Sequence, residues 1–449
     1  MMPHPPIILP NIGKGEEREI RDIDEAMRRA AKSLLETDPD TVVIISPHAP
    51  AYFDYMQVSA APAMHGDMGQ FGDHKDVFSF AGDVELAKEI DRLAFQAGIP
   101  AGMLGRQDGR LDHGSMVPLY YLKEGMKDKK LVRIGIGGPD SLMHYELGKI
   151  IARAAENLGR SIVVIGSGDL SHCQKAGTHY GFKPEGLAYD KEIMEIMGQG
   201  RFLELLELSE EKAEVAMVCG QKPFAVLAGT MDGCMPVSRT LAHSAAFGVG
   251  YGVCTYTDLT EDEGRVLLEK ARARKKEAYD ARISQEDELV KLARKTVNAF
   301  VEHKPLPKAE KLGEKAGVFV SIHKDGQLRG CIGTTEPTTA DVSEEIVQNA
   351  VSAASRDPRF PAIAPWELEN LAMNVDVLSP AEPIKDEREL DPRKYGVIVS
   401  KGNRRGLLLP DLEGVDTVEK QLEIAKQKAG IGQNETGVML ERFTVERHV

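Results

Sequence analysis

Three histidines stand beside short apolar runs of this 449-residue sequence: His48 follows TVVIIS in the phrase SPHAP, His172 follows SIVVIGSG in GSGDLSH, and His4 lies in an HPP phrase just ahead of the first run. The flanking prolines hold the backbone stiff and extended, and the glycines before His172 permit a tight turn or the close approach of a ligand. One histidine in such a place is commonly structural. Several together are different, because neutral imidazoles from separate loops are the usual way to hold a first-row divalent metal, and iron-dependent oxygenases set two His and one carboxylate on a shared face. Asp112-His113-Gly114 supplies a fourth candidate, and Asp169, Asp54 and Glu185 are acids that could orient the imidazoles from behind.

These positions carry weight because ligands bind just beyond the carboxyl ends of strands in an open α/β sheet. Strands are expected at residues 6–9, 41–46, 131–136 and 161–166, with helices at 16–36 and 83–97 whose apolar positions recur at helical spacing. Residues 237–256 read as two closing strands around a turn. The expectation is a three-layer α/β domain with a central sheet over residues 1–258. A highly charged run over 259–288 marks a solvated helix, and 259–284 is taken as a helical linker. Beyond it, residues 285–449 read as an α+β domain, with a helix at 289–301 and a hairpin turning at Asp325-Gly326.

Composition narrows the function. A chain this long exceeds one hydrophobic core, so two domains are the default. The net charge of -14, from 70 acidic and 56 basic residues, offers no basic footprint for nucleic acid or anionic lipid. The opening MMPHPPIILP lacks the charged and apolar regions of a signal peptide, and no run suffices to span a bilayer, so a cytoplasmic protein is expected. The five cysteines are widely spaced without a CxxC pair. A disulfide framework and a zinc ribbon are thereby disfavoured, leaving a lone ligand, a lone nucleophile or core filler.

HPP, SPHAP, DHGSMVPL and GSGDLSH, in that order over residues 1–258, resemble the class III extradiol ring-cleaving dioxygenases (the LigB type) and their relatives, the MEMO proteins. The resemblance implies that His4 and His48 are metal ligands, that His172 is the catalytic acid/base beside the metal, and that His113 contacts substrate or dioxygen. It implies a divalent metal, Fe(II) first, with Zn(II) or Cu as alternatives, and a small aromatic or vicinal-diol substrate. Ring-cleaving members place a Glu third among the ligands; here AMVCGQKPFAVLAG is closer to the MEMO phrase and puts Cys219 there. Glu214 is the alternative carboxylate, and a small buried hydrophobe is the other reading of Cys219. A thiolate, softer and more electron-donating, shifts metal preference and redox behaviour.

LRGCIGT, SRDPRF, VDVLSP and RGLLLP resemble the AMMECR1 family over about residues 285–449. Among them Arg329, Cys331 and Arg356 stand out, since a thiol beside a guanidinium in a glycine-flanked turn is expected to have a lowered pKa; the other reading packs Cys331 inside. Relatives of both halves are associated with a radical SAM protein, which the resemblance implies as a partner; this chain lacks the three-cysteine motif such a protein needs.

Overall fold

The run TVVIIS forms the central strand β1 (Thr41–Ser46), buried along its whole length. Val42 and Ile44 point into one apolar cluster and Val43 and Ile45 into another, so both faces are covered. That explains why the strand reads as continuous rather than alternating. The computed structural model describes residues 1–449 apart from Ala309, Asp325 and Glu413, so Asp325 of the expected hairpin turn lies outside the described residues. The chain divides into two units, Met1–Lys275 and Lys276–Val449.

In the first unit β2 (Ala63–Met68), β3 (Asp73–Gly82), β4 (Lys130–Gly135) and β5 (Ile162–Gly166) join β1 in a sheet of order β2-β3-β4-β1-β5. The pairings of β3 with β4, β4 with β1 and β1 with β5 are parallel; only β2 and β3 are antiparallel. Helices α1 (Arg21–Leu35) and α3 (His113–Leu122) cover one face, while α2 (Val84–Ala97) and α4 (Ser141–Leu158) cover the other. This is the expected three-layer arrangement. Each fully buried aliphatic side chain contributes about 1.5–3 kcal/mol, which fixes the register of β1 against its neighbours. Helices α5 (Pro184–Gln199) and α6 (Gln221–Gly229) follow, then the antiparallel pair β6 (Cys234–Ser244) and β7 (Tyr251–Glu261) and the charged helix α7 (Leu267–Ser284).

Two elements differ from expectation. Residues 6–9 are not a strand: Pro6–Ile8 is a 3-10 turn, followed by the short helix Pro10–Gly13. Prolines 5, 6 and 10 fix φ and remove donors, so a ladder cannot form there. Instead Met2, two residues before His4, bridges to Ser167 in parallel sense, its N–H donating to the Gly166 carbonyl at 3.0 Å. The hairpin of β2 and β3 was not foreseen, because β2 is half polar and mostly unburied.

The second unit opens with α8 (Glu288–Val301), capped by Asp287. Strands β8 (Val318–Lys324), β9 (Gln327–Gly333) and β10 (Leu371–Leu378) precede β11 (Glu382–Ile384), β12 (Gly396–Lys401), β13 (Arg404–Leu408), β14 (Met439–Phe443) and β15 (Val445–His448). They form two four-stranded sheets, ordered β9-β8-β10-β15 and β11-β14-β12-β13. Helices α8 and α9 (Val342–Ser355) pack on the first sheet and α10 (Val418–Ala429) on the second, an α+β fold. No helix of the described residues is long and apolar enough to cross a membrane.

Candidate metal centre

Ser46, the last residue of β1, organises the first corner of the site. Its oxygen accepts the His48 N–H at 3.2 Å, and its hydroxyl donates to Asp112 Oδ1 at 2.5 Å. Asp112 caps α3, accepting the Ser115 N–H at 3.0 Å and the Ser115 hydroxyl at 2.9 Å. An N-cap acid fixes the first turn, which places the ring of His113 at 4.2 Å from that of His48, tilted by 30°. A Cβ on the next residue, Gly114, would meet Ser46 Oγ at 2.5 Å and His48 Cδ2 at 3.1 Å. Only glycine lets the helix start this close to β1.

The second corner is the loop after β5. The His4 N–H donates to Asp169 Oδ1 at 2.8 Å, tying the HPP segment to GSGD. Ser167 donates its hydroxyl proton to the Gly114 carbonyl, so its oxygen can only accept from His4 Nδ1, at 2.9 Å. The proton of His4 is thereby held on Nδ1, and Nε2 is left as an acceptor. That Nε2 lies 3.1 Å from His48 Nε2 and 3.6 Å from Cys219 Sγ. Cys219 precedes α6, and its sulfur accepts the Asp169 N–H at 3.2 Å. A Cβ on Gly168 would come within 2.3 Å of Gly220 Cα, so the close approach of this loop to α6 also requires glycine. Donor atoms of His4, His48 and Cys219 all lie within 4.8 Å of one another.

Burial sets the charge state of this cluster. It pushes His4 well below the usual imidazole range, with the neighbouring His48 adding to the effect, and brings His113 down to about 4. His48 and His172 are lowered for the same reason. Burial also pushes the Cys219 thiol up, reinforced by the charge of Asp169, and raises Asp169 itself to about 7. Two neutral imidazoles and a thiol, turned toward one another, form a donor set suited to a soft or borderline first-row metal.

His172 stands beside this group with a defined tautomer. Its Nδ1 donates to the Met217 carbonyl at 2.6 Å, which leaves Nε2 as a proton acceptor. Asp190 holds the loop behind it, accepting the Ser171 N–H at 2.8 Å. Glu214 is exposed on the short helix Glu210–Val215, so the carboxylate alternative to Cys219 is corrected. Asp54 and Glu185 are likewise exposed, and no hydrogen bond among the described residues joins either to the imidazoles. Of the three acids expected behind the ligands, Asp169 alone touches one. Ser46, Ser167, Asp112 and Asp190 were missed in these supporting roles; GSGD and DHGS held the signal for the middle two.

The model of the catalytic LigB subunit of aromatic ring-opening dioxygenase matches residues 1–254. The chain belongs to the LigB family. Behind the LigB domain the AMMECR1 model matches residues 290–448. A protein of Clostridium acetobutylicum is 37% identical over 462 residues, covering 100% of this chain and 98% of its own length. One of Thermotoga maritima is 61% identical over 135 residues, 30% of this chain and 78% of that protein. The crystal structure of an uncharacterized protein of Pyrococcus horikoshii matches 35% of this chain and 88% of its own, at 31% identity and a TM-score of 0.34.

In the AMMECR1 domain the thiol expectation is corrected. Burial pushes Cys331 up, against the smaller effects of the Ser321 hydroxyl, which donates to its sulfur at 3.2 Å, and of Arg359. Arg356 is exposed at the end of α9, and the guanidinium that acts to lower the thiol is that of Arg359, held by Asp357, with Arg447 also within electrostatic reach. Arg329 is committed to Glu367, with bonds of 2.8 and 2.9 Å.

Proposed function

We propose that the LigB domain binds a first-row metal ion, iron(II) first, through His4, His48 and Cys219, and acts on a small aromatic or vicinal-diol substrate as a dioxygenase-like oxidoreductase. The observation that carries this is the convergence of His4 Nε2, His48 Nε2 and Cys219 Sγ next to a histidine whose Nε2 is free to take a proton. When bound, the ion supplies Lewis-acid polarisation of a substrate oxygen and redox exchange with dioxygen. His172 Nε2 accepts the proton of the substrate hydroxyl, its ring held in orientation by the Met217 carbonyl. His113, kept neutral by burial and with its ring 4.2 Å from that of His48, serves as a hydrogen-bond partner for substrate or dioxygen. Ser167 and Asp169 hold His4 in place.

The test is dioxygen uptake by anaerobically iron-loaded protein over a panel of catechols, with His48→Ala as control. Uptake that vanishes in the variant supports the reading; silence with iron tightly bound overturns it. A second reading rests on one specific observation, a thiol where ring-cleaving relatives carry a carboxylate. On it the domain is MEMO-like, holding a metal or a partner without ring cleavage and working beside a radical SAM protein.

A further inference from the structure

Two aromatic side chains from separate turns stand against the histidines that flank the candidate metal site. Phe71 ends the 3-10 turn Gly69–Phe71 between β2 and β3, remains 37% exposed, and meets the His113 ring edge-to-face at 5.4 Å. Tyr180, in the segment between β5 and α5, is 43% exposed and meets the His172 ring at 5.5 Å with an interplanar angle of 78°. A second imidazole, His179, packs on Tyr180 at 4.8 Å. Among the described residues no hydrogen bond joins the Tyr180 hydroxyl, and its ring packs on the imidazoles of His172 and His179. Only 6% of this chain is aromatic, which makes this pairing with two site histidines unlike general surface composition.

We propose that Phe71 and Tyr180 are the specificity-determining walls of the site and select a planar ring over an aliphatic diol. This rests on the metal-site reading above and adds to it the residues that recognise the substrate. The donor atoms of His4, His48 and Cys219 converge, the His113 ring lies 4.2 Å from that of His48 and 5.6 Å from that of His4, and the His113 and His172 rings each carry an aromatic contact. Both aromatics stand steeply to the imidazole they touch and keep more than a third of their surface exposed. A planar ring gains offset-stacked or edge-to-face contact with such surfaces, whereas a saturated ring gains contact area alone. The walls come from two turns outside the metal donors, so selectivity for the ring is separable from affinity for the ion.

The experiment titrates 4-nitrocatechol anaerobically into the iron-loaded full chain and follows its visible band, a binding readout independent of turnover. Phe71→Leu and Tyr180→Leu keep apolar bulk and remove the ring; each is expected to weaken binding about tenfold, with iron affinity and melting temperature unchanged. Tyr180→Phe and Phe71→Tyr retain a ring and should bind as the parent does. Parent protein that holds iron yet leaves the nitrocatechol spectrum unmoved overturns the functional reading and the walls with it. Equal binding by the parent and both leucine variants overturns the walls alone. Loss in Tyr180→Phe as large as in Tyr180→Leu overturns the ring role of Tyr180 by assigning its effect to the hydroxyl.

Discussion

The Nε2 atoms of His4 and His48 lie 3.1 Å apart, and the one on His4 can only accept, because Ser167 holds that ring's proton on Nδ1. The gap is closed either by a proton on His48 Nε2 or by a cation bound to both nitrogens. In metal-free protein Cys219, whose thiol is raised by burial, is protonated near neutral pH. Zinc binding at pH 7, measured by calorimetry in two buffers of different ionisation enthalpy, should release about one proton per ion. Cys219→Ala should abolish that release, and His4→Ala should weaken binding on the order of a hundredfold. Undiminished affinity in both His4→Ala and His48→Ala would refute the ligand set.

A second histidine feature sets acid stability. His144 is fully buried on α4, its Nδ1 donating to the Asp140 carbonyl at 2.9 Å while Nε2 accepts the Gly137 N–H at 3.3 Å. Burial, with the nearby Lys222, lowers its pKa to about 3. An unfolded histidine titrates near about 6.5, so between that value and the folded one the unfolded chain binds a proton the native state refuses. Stability is therefore complete above this window and falls as pH drops into it, by about 1.4 kcal/mol per pH unit for each such proton. Urea unfolding of metal-free protein at pH 7.5, 6.0 and 5.0 should show this slope, and His144→Asn should reduce it; a slope identical to the parent's counts against the assignment.

Asp190 is buried and accepts from Ser171 at 2.8 Å, from Gln174, and from His243 at 3.3 Å. Leaving these donors unpaired in Asp190→Ala should cost about 1–3 kcal/mol. Because the loop it holds carries His172, turnover should fall more than metal affinity does. Equal losses in both would mean that Asp190 supports the whole domain rather than this loop.

In the second unit Arg329 and Glu367 form a buried bidentate pair. Arg329→Met strands a buried carboxylate and should cost about 3–5 kcal/mol, whereas adding Glu367→Leu should recover most of it. Trp366, the single tryptophan, adjoins Glu367, so its fluorescence reports this unit's unfolding directly. A double variant no more stable than the single one would contradict the pairing.

The corners of the site were legible because β1 and β5 announce themselves as apolar runs and the residues beyond them are chemically distinctive. His48 and His172 could be located that way, whereas His113, which opens α3, was reachable only through its DHG phrase. His4 could be named but not placed, since the pairing of Met2 with the end of β5, and not the expected strand at 6–9, brings it beside Asp169. Cys219 was reachable only through its phrase; nothing local to residue 219 reveals the distant Asp169 N–H at its sulfur. Phe71 and Tyr180 lie in turns whose approach to the histidines is wholly tertiary, and no periodicity marks them. The acids Asp54 and Glu185 show the converse error: a suitable residue type near a motif does not make a partner when its side chain points into water.

The three candidate donors enter the chain at positions 4, 48 and 219, and the segment bearing the first pairs with Gly166. A growing polypeptide therefore exposes two imidazoles long before the thiol that completes the set exists. An ion captured at that stage has no specific geometry to reward it. On the proposed ligand set, loading would belong to the finished domain, and an ion held by His4 and Cys219 would tie the two ends of that domain together, so a chelator should lower its stability as well as empty the site.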